Sequence, residues 1–227
     1  MIFDDKVKVF FTTKYDKNIA FHVVDEKDHA EVKKAREKLS KTYNLDISNL
    51  KYMDQIHGND VIVVNEDEKY TCDALITNKK NTPLMIMSAD CIGILFYDPI
   101  QMAIGVAHAG RNGTFLEIAK KTIESMCENY GSDPKDIQVE LGPSIQKCCY
   151  EVSHEMVEIV KSNFGEEFCK GRNIDLQGIN KKQILDMGIK EQNINISTIC
   201  TQCNGEDYFS YRNDSTCGRF AGIISIL

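Results

Sequence analysis

Short apolar runs, broken at intervals by polar turns, dominate this chain, and helical stripes lie between them. The most apolar stretch is 84–114, LMIMSADCIGILFYDPIQMAIGVAHAGRNGT, which reads as buried strands joined by an Asp98-Pro99 turn. With Phe96 and Met102 flanking that turn, Cys91 and His108 stand at matching distances from it and return to the same end of the sheet. Further strands are expected at 7–13, 20–24, 60–64, 73–77, 137–141 and 221–227, the first two as a hairpin around Asp16-Lys17-Asn18. Helical periodicity marks 28–43, 114–129, 153–164 and 175–187, with Leu116, Ala119, Ile123 and Met126 as the stripe of the second. Thr114 with Glu117 spells a capping box there, and Gly188 a C-cap after the last helix. Strands mixed irregularly with helices predict an α+β fold with mixed sheets rather than a doubly wound α/β one. No repeat or linker is visible, so residues 1–227 are expected to form a single domain.

Composition narrows the partners. A chain of 227 residues with 42% hydrophobic content can supply a sizeable core. Its net charge of -7 argues against nucleic acid or a membrane surface, because such partners need clustered Lys and Arg. The N-terminus lacks the plan of a signal peptide and no apolar stretch approaches a membrane span, so a cytoplasmic location is expected. Nine cysteines, an odd number, cannot form a full disulfide set and read as reduced thiols. Oligomeric state leaves no mark on the sequence.

Soft ligands stand at strand ends. His57 sits beside Gly58 at a strand-to-strand connection, and with Cys91 and His108 it offers two imidazoles and a thiolate. That set suits zinc with a fourth position open to water, which the metal would activate near neutral pH. The spacing is not a local motif, so convergence depends on the fold, and His57 taken alone reads more readily as a hydrogen-bonded turn residue than as a ligand. The same side chains also work without metal, with Cys91 as nucleophile, His108 as its base and Asp90 or another acid orienting the imidazole. Metal content separates these readings. The glycine-rich loop after His108 feeds a helix start, a ready anion site. Arg111, Asn112 and Arg212 are candidate substrate contacts; Arg219, like Arg212, could meet an anionic substrate, against solvated or salt-bridged roles for that pair. Cys200 and Cys203 with Cys217 could give three ligands of a structural zinc, against ordinary thiols; Cys148 and Cys149 read as packing residues, and His29 as surface.

At Gln55-Ile-His-Gly58, Asp73-Ala-Leu-Ile-Thr77, the run from Ala89 to Pro99 and Ala107-His-Ala-Gly110, the chain resembles the YfiH/YlmD (PgeF) family, labelled laccase-domain or polyphenol oxidoreductase. The match continues through Leu141-Gly-Pro-Ser-Ile145, Cys149-Tyr-Glu-Val152, the helix with Asn180 and Gln183, Cys200-Thr201 and Phe209-Ser-Tyr-Arg212. The resemblance implies an α/β/β/α sandwich and a zinc site whose ligands fall on His57, Cys91 and His108. It also implies a purine nucleoside enzyme: phosphorolysis of adenosine, inosine, guanosine and methylthioadenosine with phosphate, and deamination of adenosine. Some relatives are described as peptidoglycan editing factors, which gives the metal-free Cys91/His108 alternative a target, an amide in cell-wall fragments.

One departure is plain. The family usually reads His-Ala-Gly-Trp-Arg-Gly where this chain has His108-Ala-Gly-Arg111-Asn112-Gly113, so the arginine stands one place nearer the ligand. The laccase label also meets a limit in composition. A cupredoxin-type multicopper oxidase draws on many histidines, largely in His-x-His pairs, whereas this chain has five and no such pair. Polyphenol oxidation would need copper in the His57/Cys91/His108 set, whose nitrogen and thiolate donors can bind it.

Overall fold

The computed structural model describes residues 3–65 and 69–227. Its strands in chain order are β1 (Val7–Phe11), β2 (Lys51–Asp54), β3 (Val61–Val63), β4 (Tyr70–Thr71), β5 (Ala74–Thr77), β6 (Leu84–Ser88), β7 (Ile92–Asp98) and β8 (Ala103–Ala109). They continue as β9 (Gln138–Leu141), β10 (Cys169–Lys170), β11 (Asn173–Ile174), β12 (Ile194–Ile196) and β13 (Phe220–Ile226). The helices are α1 (His29–Tyr43), α2 (Arg111–Phe115), α3 (Ile118–Tyr130), α4 (His154–Asn163) and α5 (Leu176–Asp186). One sheet runs β1-β13-β6-β2-β4 and a second runs β12-β9-β7-β8-β5-β3, with β10 and β11 as a separate ribbon. Both large sheets are mixed: β2 runs parallel to β6, and β3 to β5, whereas β7 and β8 are antiparallel.

The two sheets pack face to face. Leu84, Ile86, Ile224 and Ile226 of the first meet Leu95, Tyr97, Ile104 and Val106 of the second in one buried cluster. Successive strand residues point to opposite faces, so Ile94 and Phe96 of β7 turn outward, to Ala119 and Ile123 of α3, Val160 of α4 and Ile184 of α5. The outer face of the first sheet, with Met85, Met87 and Ile223, is covered by Ala35 and Leu39 of α1. The layers are helix, sheet, sheet, helix. Burial on both faces is why β6, β7 and β8 read as continuous apolar runs rather than alternating ones.

The hairpin of β7 and β8 forms as its pattern predicts, with Ile92 opposite Ala109 and Asp98 opposite Ala103. Asp98 Oδ1 accepts from the amides of Ile100 (2.8 Å) and Gln101 (3.1 Å), closing the turn. The hairpin expected over 7–13 and 20–24 does not form. Phe21–Val23 is a single 3-10 turn, because Ile19 and Ala20 are drawn under α1 beside Ala35 and Leu39. Strand β1 pairs instead with β13, Val7 opposite Ile226.

The helix expected over 114–129 is two helices. Glu117, in a left-handed conformation at φ +59°, separates α2 from α3, and Leu116 is left exposed beside the break. Thr114 does not cap anything. It is buried in α2, where its Oγ1 accepts from Asn180 Nδ2 (2.8 Å) and its carbonyl from Gln183 Nε2 (2.9 Å). These two α5 side chains hold the short helix in place. No helix among the described residues is long and apolar enough to cross a membrane.

Candidate active site

Strand register assembles the site. Gly93 lies opposite His108, and Cys91, two residues earlier on the same face, therefore stands diagonal to His108 at the open end of the hairpin. His57 arrives from the loop after β2, with its backbone left-handed at φ +59°. The ligand atoms of His57, Cys91 and His108 all lie within 4.8 Å of one another. The two imidazoles meet edge to face, 4.8 Å between centroids. Gly110 makes this closeness possible, because a Cβ there would fall 3.0 Å from Cys91 Sγ and 3.1 Å from His57 Cδ2.

Asp73 orders the group from beneath. Fully buried, it accepts from His108 Nδ1 (2.8 Å) and from the amides of His57 (3.1 Å), Ile56 (3.2 Å) and Gly58 (2.6 Å). It thereby holds the His57 loop in its left-handed form and fixes the His108 ring, leaving Nε2 free for the thiol. Burial works against charge on both Cys91 and His108, yet their attraction prevails. Against that burial, His108 and His57 bring the Cys91 thiol down to about 6. Against its own burial, the His108 imidazole is carried up to about 9 by Cys91 and Asp73. In the absence of a metal, the pairing therefore favours the thiolate–imidazolium form over two neutral groups.

The orienting acid is thus Asp73, not Asp90. Asp90, left-handed at φ +89°, accepts instead from Thr201 Oγ1 (2.7 Å) and the Arg212 amide (2.8 Å), fixing one wall of the cavity. In the sequence Asp73 stands only as the residue that opens the 73–77 strand; its role depends on loop amides converging in space.

The donors open into a cavity of about 520 Å³, which Arg111, Asn112 and Arg212 also line. Arg219, weighed in the sequence as an anion contact, lines it too, with Tyr150, Tyr211, Gln55 and His22, whose place sequence reasoning missed. The Arg212 guanidinium lies 4.9 Å from the Tyr150 ring and donates to the Glu151 carbonyl (3.1 Å). Arg219 lies 6.0 Å from the Tyr211 ring. Arg111 and Asn112 touch each other at the start of α2, Nε to Oδ1 at 3.3 Å.

A second group of soft ligands lies nearby in the chain's C-terminal half. Cys148 and Cys149, expected only to pack, meet Cys200 and Cys203, and the four sulfurs could hold a metal ion. Cys148 and Cys203 are exposed, which is not the environment of packing residues. Cys217 is outside the group, its sulfur accepting from Arg219 Nη1 at 3.7 Å. A bridge between Ser144 and Cys200 brings the two segments together, and no local spacing announces it.

Residues 5–227 match the family described as multi-copper polyphenol oxidoreductase laccase. The chain belongs to this family. Among its relatives, purine nucleoside phosphorylase YlmD of Bacillus subtilis is 31% identical over 228 residues, covering 92% of this chain and 81% of the relative. Purine nucleoside phosphorylase Cj1217c of Campylobacter jejuni is 34% identical over 181 residues, covering 79% and 78%. The crystal structure of YfiH from Bacillus licheniformis superposes with a TM-score of 0.90 at 26% identity, over 98% of this chain and 94% of that one. The histidines that line the pocket are His22, His57 and His108.

Proposed function

We propose that the chain is a zinc-dependent purine nucleoside phosphorylase whose metal is held by His57, Cys91 and His108. The observation that carries this reading is the meeting of that donor set, in one cavity of about 520 Å³, with Arg111, Arg212, Arg219 and two tyrosines. An ionised thiol and an imidazole whose Nδ1 is already tied to Asp73 fit the demands of a zinc ligand and its supporting shell. Guanidinium forks suit phosphate, and the faces of Tyr150 and Tyr211 suit a purine. Relatives named purine nucleoside phosphorylase support the same chemistry. Zinc, when bound, would supply Lewis-acid stabilisation of negative charge at the His57, Cys91 and His108 end of the cavity.

In phosphorolysis a phosphate oxygen forms a bond to C1′ of the ribose while the bond from C1′ to the base breaks, its electron pair leaving with the base. The arginines hold the nucleophile, the tyrosines hold the base, and Asp73 keeps the proton on Nδ1 of His108. Adenosine, inosine, guanosine and methylthioadenosine are the substrates proposed, with deamination of adenosine by water at C6 as a second activity. Chromatography of adenosine and inosine incubated with and without phosphate tests this on zinc-loaded protein. Free base should form only with phosphate, inosine should form from adenosine without it, and both should vanish in His108→Ala. No turnover in any combination overturns the reading.

The thiolate beside His108 favours one second reading, in which Cys91 attacks an amide of a cell-wall fragment and His108 gives its proton to the leaving amine. Loss of amidase activity on iodoacetamide trapping of Cys91, in protein shown to be zinc-free, would support it. Zinc bound through Cys91 in the purified protein would exclude it.

A further inference from the structure

Cys148, Cys149, Cys200 and Cys203 lie outside the donor set of the pocket, with all four sulfurs within 4.8 Å of one another. We propose that they bind a second, structural zinc ion as four thiolates, and that this ion fastens the wall of the substrate cavity. The proposal does not depend on zinc at His57, Cys91 and His108.

The distances favour one ion. Zinc–sulfur bonds of about 2.3 Å at tetrahedral angles place the sulfurs about 3.8 Å apart. Cys148 and Cys203 are separated by 3.8 Å, and Cys149 and Cys203 by 3.3 Å. A disulfide would need about 2.05 Å between two sulfurs, shorter than either of these separations, and all four cysteines are free thiols. A multi-iron cluster distributes its cysteines over several irons, a wider arrangement than one whose sulfurs all lie within 4.8 Å.

The backbone brings the two segments together. The Cys200-Thr-Gln-Cys203 turn is closed by the Asn204 amide donating to the Cys200 carbonyl (3.0 Å), and the Ser144–Cys200 bridge ties it to the segment that carries Cys148 and Cys149. Two of the four cysteines, Cys148 and Cys203, are exposed, so an ion can reach the site from solvent.

The neighbours give the ion its consequence. Tyr150 directly follows Cys149, and Thr201 directly follows Cys200. Thr201 donates to Asp90, which accepts the Arg212 amide, and the Arg212 guanidinium lies over Tyr150. Joining Cys149 to Cys200 and Cys203 therefore closes a ring that carries two cavity residues, Tyr150 and Arg212. A cross-link between segments so distant in sequence removes loop entropy that the hydrogen bonds alone must otherwise oppose.

Zinc analysis of protein purified under anaerobic, reducing conditions tests this. Wild type should carry two zinc ions per chain, Cys203→Ser one and Cys91→Ala one. Cys203→Ser should raise the KM for nucleoside about tenfold with kcat within about twofold, because binding residues loosen while the donors stay. Cobalt substituted into Cys91→Ala should show the intense thiolate-to-metal bands of a tetrahedral four-sulfur site, a readout that does not require Cys203→Ser to fold. Undiminished zinc in Cys203→Ser, absence of those bands, iron in place of zinc, or a Cys149–Cys203 disulfide in reduced preparations would each overturn the proposal. A single zinc lost in Cys203→Ser but kept in Cys91→Ala would leave it standing and remove zinc from the reading of the pocket.

Discussion

Asp73 is the residue on which the order of the site most depends, since one buried carboxylate serves an imidazole and three loop amides at once. Asp73→Asn keeps the volume but turns an NH2 toward groups that all donate. It should weaken zinc binding by about 10–100-fold, as measured by competition with a chelator. Gly110→Ala acts from above, setting a methyl 3.0 Å from Cys91 Sγ. It should lower kcat/KM at least about tenfold while the melting temperature moves by only a few degrees, because the displaced side chains line an open cavity. The lowered Cys91 thiol adds a pH signature. In zinc-free protein the thiolate fraction rises through about 6, so iodoacetamide trapping should level off above about pH 7. An ordinary thiol, near 9.0, would still be gaining reactivity there. The approach of His57, Cys91 and His108 was legible in the sequence as soft side chains at strand ends; the orienting role of Asp73 was not, because its partners are amides brought in by a loop.

Among the elements, the β7–β8 hairpin was the most legible, for period, turn chemistry and strand length all agree on one register. Its weak point is Gly93, where a Cβ would meet Ile86 Cδ1 at 2.3 Å and Phe11 at 3.3 Å. Gly93→Ala should destabilise the protein by about 1–3 kcal/mol in urea unfolding, by prising the sheets apart. The helices at 29–43, 154–163 and 176–186 were legible too, from their helical periodicity. The break at Glu117 was not. Its cause is the grip of Asn180 and Gln183 on Thr114, a tertiary contact that outweighs a locally plausible capping box. The strand expected at 20–24 failed for a similar reason, since a helix above it claimed its apolar side chains.

For the whole molecule, the net charge of -7 sets off a cavity that carries Arg111, Arg212 and Arg219. A cationic cleft in an acidic protein focuses the field on an incoming anion. Arg212→Ala should raise the KM for phosphate roughly tenfold, and added salt should raise it in wild type more than in the variant, as steady-state kinetics would register. The layered architecture could be anticipated, but the meeting of Cys148 with Cys203 could not, because 55 residues separate them and only the folded segments bring them together. Strand β13 carries the last consequence. It lies between β1 and β6, hydrogen-bonded to both, so among the described strands β1 joins the sheet only through a segment far downstream of it. The first sheet therefore closes through a pairing of high sequence separation, the kind that slows folding and leaves an apolar strand open to aggregation while it waits.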